Sequence, residues 1–337
     1  MQSTGGYMGM SGHVTTANVG RRARAHIPQA LAHEALFSKS SVFARRCVDA
    51  KDRGSLDEYQ LWAAAALELL AKAHLASIHP SVVVEPHNDN SLLEANGIST
   101  GTAVRTISAQ RAYKLLKHTV TGFSTVVLGY CNRLADRRNA EFHSGEAACS
   151  GLDPSSWEGA FWHAADLILD ALDMDLRQWL GAQADTPMRA LKGYRDAEKA
   201  AALYKIEVCA QEFKSGEHGQ LKGDKLQALI EKTGKLPIET DEFRYFYDCY
   251  WHQTCPACHT FGFAAGSLAW EEQAEDQSDT EPGYELIERG YLPTEFHCLT
   301  CGLSLVGELA MRAAGLDDVH VEQREREIEY EPEYGND

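Results

Sequence analysis

Apolar residues recur at steps of three and four over most of the first 215 positions, which predicts a run of amphipathic helices. Leu31, Leu36, Phe43 and Val48 mark a first helix, opened by Pro28 and ended near Gly54. Ser55-Leu56-Asp57-Glu58 reads as a capping box, in which a hydroxyl and a carboxylate satisfy each other's orphan backbone amides. The helix behind it runs through Leu61, Trp62, Leu67, Leu70 and Leu75 to about Ile78. Residues 79–106 lose the period and carry Pro80, Pro86, Asn88, Gly97 and Gly101, so they read as a loop-rich insertion. Ser108 starts a third helix, and a fourth follows Gly122 through Val127, Leu128, Tyr130 and Leu134 as far as His143. Asp153-Pro154 pairs a capping side chain with proline at the first helical position. A fifth helix is therefore expected through Trp157, Phe161, Ile168, Leu172 and Trp179 to Gly181.

A further helix, about Met188 to Phe213, carries Leu191, Tyr194, Ala201, Tyr204 and Val208 as a docking face. After it the pattern shortens. The aromatic run Phe243–Tyr247 and the segment Gly302–Val306 read as strands. The expected organisation is a flexible N-terminal tail over 1–27 and a helical bundle over 28–183. A helical connector over 184–238 leads to a small β domain over 239–315 with an acidic insertion at 271–283, and an acidic tail fills 316–337. The fold class expected is mainly α, a bundle with a small β appendage.

Composition adds constraints. A chain of 337 residues can bury two ordinary cores. No run of about 18 apolar residues points to a membrane span. Met1 to Ala25 holds arginines with no apolar stretch after them, unlike a signal peptide. The net charge of −17 is uneven: residues 1–150 carry 16 Lys/Arg against 12 Asp/Glu, and the rest 16 against 37. The mildly basic first half permits a polyanionic partner, while the acidity sits mainly in the second half. Nine cysteines, an odd number, with four in paired CxxC units, suit metal binding in a reducing, cytoplasmic setting better than disulfides.

Those pairs are Cys255-Pro256-Ala257-Cys258 and Cys298-Leu299-Thr300-Cys301. Each unit turns two thiolates toward one ion, and two units complete a tetrahedral sulfur cage for Zn2+. The arrangement resembles a zinc ribbon with an unusually long separation between its pairs. Four sulfur ligands leave no position for water, so the ion is expected to be structural, with no catalytic metal. Gly302 and Gly262 sit where a knuckle needs unhindered backbone. Cys47, Cys131, Cys149, Cys209 and Cys249 read as small core residues, and His259 and His297 as incidental neighbours of the cage.

The remaining motif is Arg138-Asn139-Ala140-Glu141-Phe142-His143. A guanidinium holds phosphate through a planar fork of donors, and an imidazole can exchange a proton near neutral pH. Asn139 and His143 share one helix face, while Arg138 points about 140° from His143. Two copies facing each other would close a site that one copy leaves open. Arg-Asn, three residues and His resembles the signature of the HEPN superfamily of helical ribonucleases and nucleotide-associated domains, over about residues 28–182. The long stretch 79–107 departs from that pattern.

The resemblance implies a two-fold homodimer that cleaves RNA at the shared groove without a metal. His143 would be the acid or base, Arg138 would hold the charge building on phosphorus, and Asn139 would orient one of them. Attack by the ribose 2′-hydroxyl would leave a 2′,3′-cyclic phosphate and a 5′-hydroxyl. Arg137 is the first candidate for RNA contact; Arg45, Arg46, Lys51 and Arg133 read as solvated charge. Family habit suggests a toxin or anti-phage effector, with a regulatory protein or nucleic acid as trigger. Some family members only bind, so the alternative is a non-catalytic protein that docks on nucleic acid or a partner protein.

Overall fold

The structure, a computed structural model, describes residues 27–278 and 280–328. The N-terminal tail up to residue 26 and the acidic segment 329–337 lie outside the described residues. The helical part comprises α1 (His33–Asp52), α2 (Leu56–Ile78), α3 (Asp89–Ala95), α4 (Ala109–Leu116), α5 (Thr125–His143), α6 (Glu158–Asp170) and α7 (Leu176–Leu180). Next come α8 (Asp185–Ser215) and α9 (Asp224–Thr233). Strands β1 (Cys249–Thr254), β2 (Phe261–Gln273), β3 (Tyr284–His297), β4 (Ser304–Val306) and β5 (His320–Glu327), with α10 (Glu308–Ala313), complete the chain.

Helix α2 is the centre of the helical core. Its alanines at 63, 64, 66, 71 and 73 are buried, which lets α1 approach closely, while α4, α5 and α6 cover its other sides. By length and composition α2 could cross a membrane, but Leu67, Leu70 and Leu75 are wholly buried among its neighbours. Trp162, Trp179, Tyr59 and Tyr113 fill the space between helices. The Trp179 indole N–H donates to Ser40 Oγ at 2.9 Å, so its one polar atom is satisfied inside the core.

Several local expectations change. Ser55 precedes α2 but makes no side-chain cap hydrogen bond, and Glu58 pairs with Arg53 at 2.9 Å, so the expected capping box does not form. The helix expected from Pro154 to Gly181 is broken. Asp173 adopts a left-handed backbone (φ 55°), and Asp175 and Gln178 form a capping box that restarts the chain as α7. The insertion 79–106 holds α3, capped by Asn88, and is closed by a bridge between Val84 and Thr106.

Helix α8 has 31 residues and is about 46 Å long. Leu191 belongs to the helical core and Ala202 to the core beneath the sheet, against which Ile206, Cys209, Ala210 and Phe213 also pack. Leu191 and Tyr194 of the expected docking face do pack, the first in the helical core and the second against Gly159 of α6. Beyond them the face is shifted by one position, from Ala201 to Ala202 and from Val208 to Cys209, leaving Tyr204 69% exposed. Steps of three and four from Leu191 reach Ala202, Ile206, Cys209 and Phe213, which form the buried face, while the large aromatic Tyr204 falls off it.

The fold class needs correction. The C-terminal part is not a small ribbon attached to a mainly α bundle; it is a five-stranded antiparallel sheet, and the molecule is α+β. Sheet order is β1-β2-β3-β4, and β5 pairs with the first half of β3 on the edge that β4 uses further along. Glu271–Gln273, expected in an acidic loop, lie in β2 and pair with Ile287–Arg289 of β3. His320–Glu327, expected in a tail, form β5, where ion pairs such as Arg326–Glu285 at 2.7 Å offset the acidic charge. Phe243–Tyr247 form no strand. They bend before β1, with Phe243 and Tyr247 turned into a small aromatic core and Phe246 90% exposed. Within that core the fully buried Glu295 carboxylate accepts from Tyr247 Oη at 2.8 Å, Arg244 N–H at 3.0 Å and His297 Nε2 at 2.7 Å. Burial pushes its pKa up, but these hydrogen bonds outweigh it and hold the group below the ordinary carboxylate range.

Candidate functional site

Cys255, Cys258, Cys298 and Cys301 converge, and their sulfurs all lie within 4.8 Å of one another. Cys255 to Cys301 and Cys258 to Cys298 are each 3.6 Å. A disulfide needs about 2.05 Å. A tetrahedral ion with metal–sulfur bonds of about 2.3 Å spaces its sulfurs about 3.8 Å apart. The four cysteines could therefore hold a metal ion.

The two knuckles are built alike. His259 N–H donates to the Cys255 carbonyl at 3.0 Å, and Gly302 N–H to the Cys298 carbonyl at 2.8 Å. Cys255 N–H then reaches Thr260 O at 2.8 Å, as Cys298 N–H reaches Leu303 O at 2.9 Å. The residue after each second cysteine takes a left-handed conformation, φ 60° at His259 and 73° at Gly302. His259 is thus the turn residue of the first knuckle, occupying the place that Gly302 has in the second. Gly262 serves a different need from the one expected, since a Cβ there would lie 2.5 Å from the His297 carbonyl oxygen and 2.6 Å from the Phe296 ring. Thr260, wholly buried, places its hydroxyl 3.1 Å from Cys258 Sγ and 3.1 Å from Thr300 Oγ1. His297 is spoken for by Glu295.

The Arg138–His143 motif occupies the last turn and a half of α5. Its residues do not meet within one chain. Arg138 turns toward α2, where its Nη2 pairs with Glu68 Oε2 at 2.8 Å; the other Glu68 oxygen accepts from Lys72 Nζ at 2.7 Å. Arg138 Nε is buried and has no partner among the described residues. His143 ends the helix and is exposed, Asn139 is half-buried one turn earlier on the same face, and Phe142 is 62% exposed. Among the described residues no hydrogen bond joins Arg138, Asn139 and His143. Arg137 lies on another side, lining a cleft of about 120 Å³ with Tyr130, Arg133, Trp157 and Phe161.

A third constellation escaped the sequence reading. Between the helical part and the sheet lies a cleft of about 560 Å³. At its wall the Glu308 carboxylate of α10 accepts from His163 Nε2 of α6 at 2.6 Å and from Ser124 Oγ, the cap of α5, at 2.9 Å. Arg195 of α8 pairs with Asp166 at 2.7 Å. Burial pushes the Glu308 pKa up, yet His163 and Ser124 hold it below the usual range. Nothing in the sequence pairs Glu308 with side chains more than 140 positions earlier. These groups satisfy one another, which makes them a junction between the two parts. Compared with known protein families, with curated proteins and with solved structures, the chain matches none of them.

Proposed function

We propose that this protein is a metal-stabilised endoribonuclease that works as a symmetric pair and cleaves RNA through the ribose 2′-hydroxyl. The observation that carries the reading is the exposed end of α5, where His143 has no hydrogen-bond partner among the described residues and Asn139 stands on the same face one turn away. RNA supplies its own nucleophile beside the scissile phosphate, so the chain needs to hold the phosphate and move protons. His143 takes the 2′-hydroxyl proton or gives one to the 5′-oxygen, and Asn139 orients the imidazole or a phosphate oxygen. Arg138 would stabilise the charge on phosphorus after exchanging Glu68 for the phosphate. The products are a 2′,3′-cyclic phosphate and a 5′-hydroxyl. The ion in the Cys255, Cys258, Cys298 and Cys301 cage is zinc, given four thiolates at tetrahedral spacing, and its role is structural.

The test incubates purified protein with labelled RNA and with the matching DNA, without added divalent ions. RNA is expected to be cut and DNA spared, and His143→Ala is expected to lower the rate about 10²–10⁴-fold, the usual contribution of a proton-transfer group. Undiminished cleavage by a folded His143→Ala protein removes the assignment. The Arg138–Glu68 pair favours a second reading, a binding protein without catalysis, in which Arg138 is a strut between α5 and α2. RNA bound and left intact by the unaltered protein selects that reading.

A further inference from the structure

The first and last strands of the sheet meet at a second group of metal-ligating side chains. Cys249 opens β1, and His320 and Glu322 stand two apart on β5, so both leave the strand on one face. Cys249 Sγ lies 3.1 Å from Glu322 Oε1, and His320 Nε2 lies 3.4 Å from the same oxygen. All three ligand atoms fall within 4.8 Å of one another. A tetrahedral ion with bonds of about 2.0–2.3 Å sets its ligands roughly 3.3–3.8 Å apart, so the observed separations are close to the edges of one coordination polyhedron.

The surroundings hold this geometry ready. The His320 ring lies flat on Trp251, with centroids 4.4 Å apart and planes 4° from parallel, which fixes the direction of its nitrogens. Arg324 Nη2 grips the other oxygen of Glu322 at 2.7 Å, so Oε1 stays turned toward the thiol and the imidazole. An outer partner that fixes a ligand in this way is a regular companion of metal sites. Cys249 is 4% exposed, while the side chains of His320 and Glu322 are 29% and 28% exposed. The sulfur therefore forms the floor of the site, and its open side faces solvent.

We propose that Cys249, His320 and Glu322 bind a second metal ion of the zinc class, with water in the fourth position. Thiolate, imidazole and carboxylate together suit zinc and disfavour magnesium or calcium, which take oxygen ligands. Binding releases the thiol proton that otherwise bridges Sγ to Oε1. The ion shares no ligand with the four-cysteine cage. It joins β1 to β5, which lie on opposite outer edges of the β2–β3 pair and share no ladder.

Full-length protein from zinc-supplemented cells, freed of loosely bound metal by gel filtration, is assayed for zinc per chain by mass spectrometry. Two equivalents are expected, falling to one in His320→Ala and in Cys249→Ser. One equivalent in the unaltered protein overturns the proposal, as do two equivalents retained in both folded variants. The unaltered protein provides a check that needs no variant. A chromophoric zinc chelator is expected to withdraw one equivalent quickly, from the three-ligand site, and the second slowly, from the closed cage. Withdrawal in a single phase amounting to one equivalent overturns it.

Discussion

Serine in place of Cys298 is expected to unfold the C-terminal sheet and leave the helical core standing. Cys298 is 2% exposed, its sulfur meets Cys258 at 3.6 Å, and its backbone forms the second knuckle with Leu303 and Gly302. Structural zinc contributes about 10–16 kcal/mol in small zinc domains, comparable to or larger than the whole stability of an ordinary domain, about 5–15 kcal/mol. The hydrophobic core under the sheet is modest. It includes Phe296, Leu303, Leu305 and Met311, and the cage cysteines themselves are part of it. Hydrogen exchange read by mass spectrometry is the measurement: amides of β1, β2 and β3 should lose protection while those of α2 keep it. Unchanged protection in the sheet would show that the cage contributes little to folding.

The second large effect belongs to Glu308. Replacement by alanine leaves His163 Nε2 and Ser124 Oγ without their acceptor at the junction of the two parts. Losing a hydrogen bond to a charged group costs about 1.5–3 kcal/mol, so a lower urea midpoint is expected with the helical core intact. The pH dependence gives a sharper reading. The folded carboxyl titrates below its ordinary value, so the carboxylate's contribution is present above about pH 4.3 and is lost as pH falls through the depressed value. The stability gap between the unaltered protein and Glu308→Gln should therefore narrow on acidification. A gap that is constant down to the acid transition would remove the role given to this carboxylate.

Much of the helical part was legible because burial writes its period into the chain. Leu67, Leu70 and Leu75 are wholly buried, and Ser108 caps the helix it was expected to start, whereas α3, capped by Asn88, lies in the stretch expected as a loop. The cage was legible for a related reason: two thiols three apart have few other uses. The sheet was underestimated because charge masked it. Glu271 and Arg326 read as part of a solvated loop and tail, yet they lie on strands, where Glu271 meets Arg289 and Arg326, and Arg326 also meets Glu285. In the aromatic run before β1, composition suggested a strand while Phe243 and Tyr247 were instead needed at a bend over Glu295. The Glu308 junction depends on tertiary proximity alone, and no local spacing announces it. The pairing of Arg138 with Glu68 was invisible for the same reason, although it decides which way the guanidinium faces.

Helix α8 carries one last implication. A single uninterrupted rod contributes Leu191 to one hydrophobic interior and Ala202 to the other. The two halves consequently have no swivel at this crossing. Any rotation of the strands against the helices has to bend or twist the rod itself, and in doing so it pulls on α6 and α10, which lean against it. Torque arriving at the sheet would in this way be delivered to the floor beneath α5, far from where it was applied.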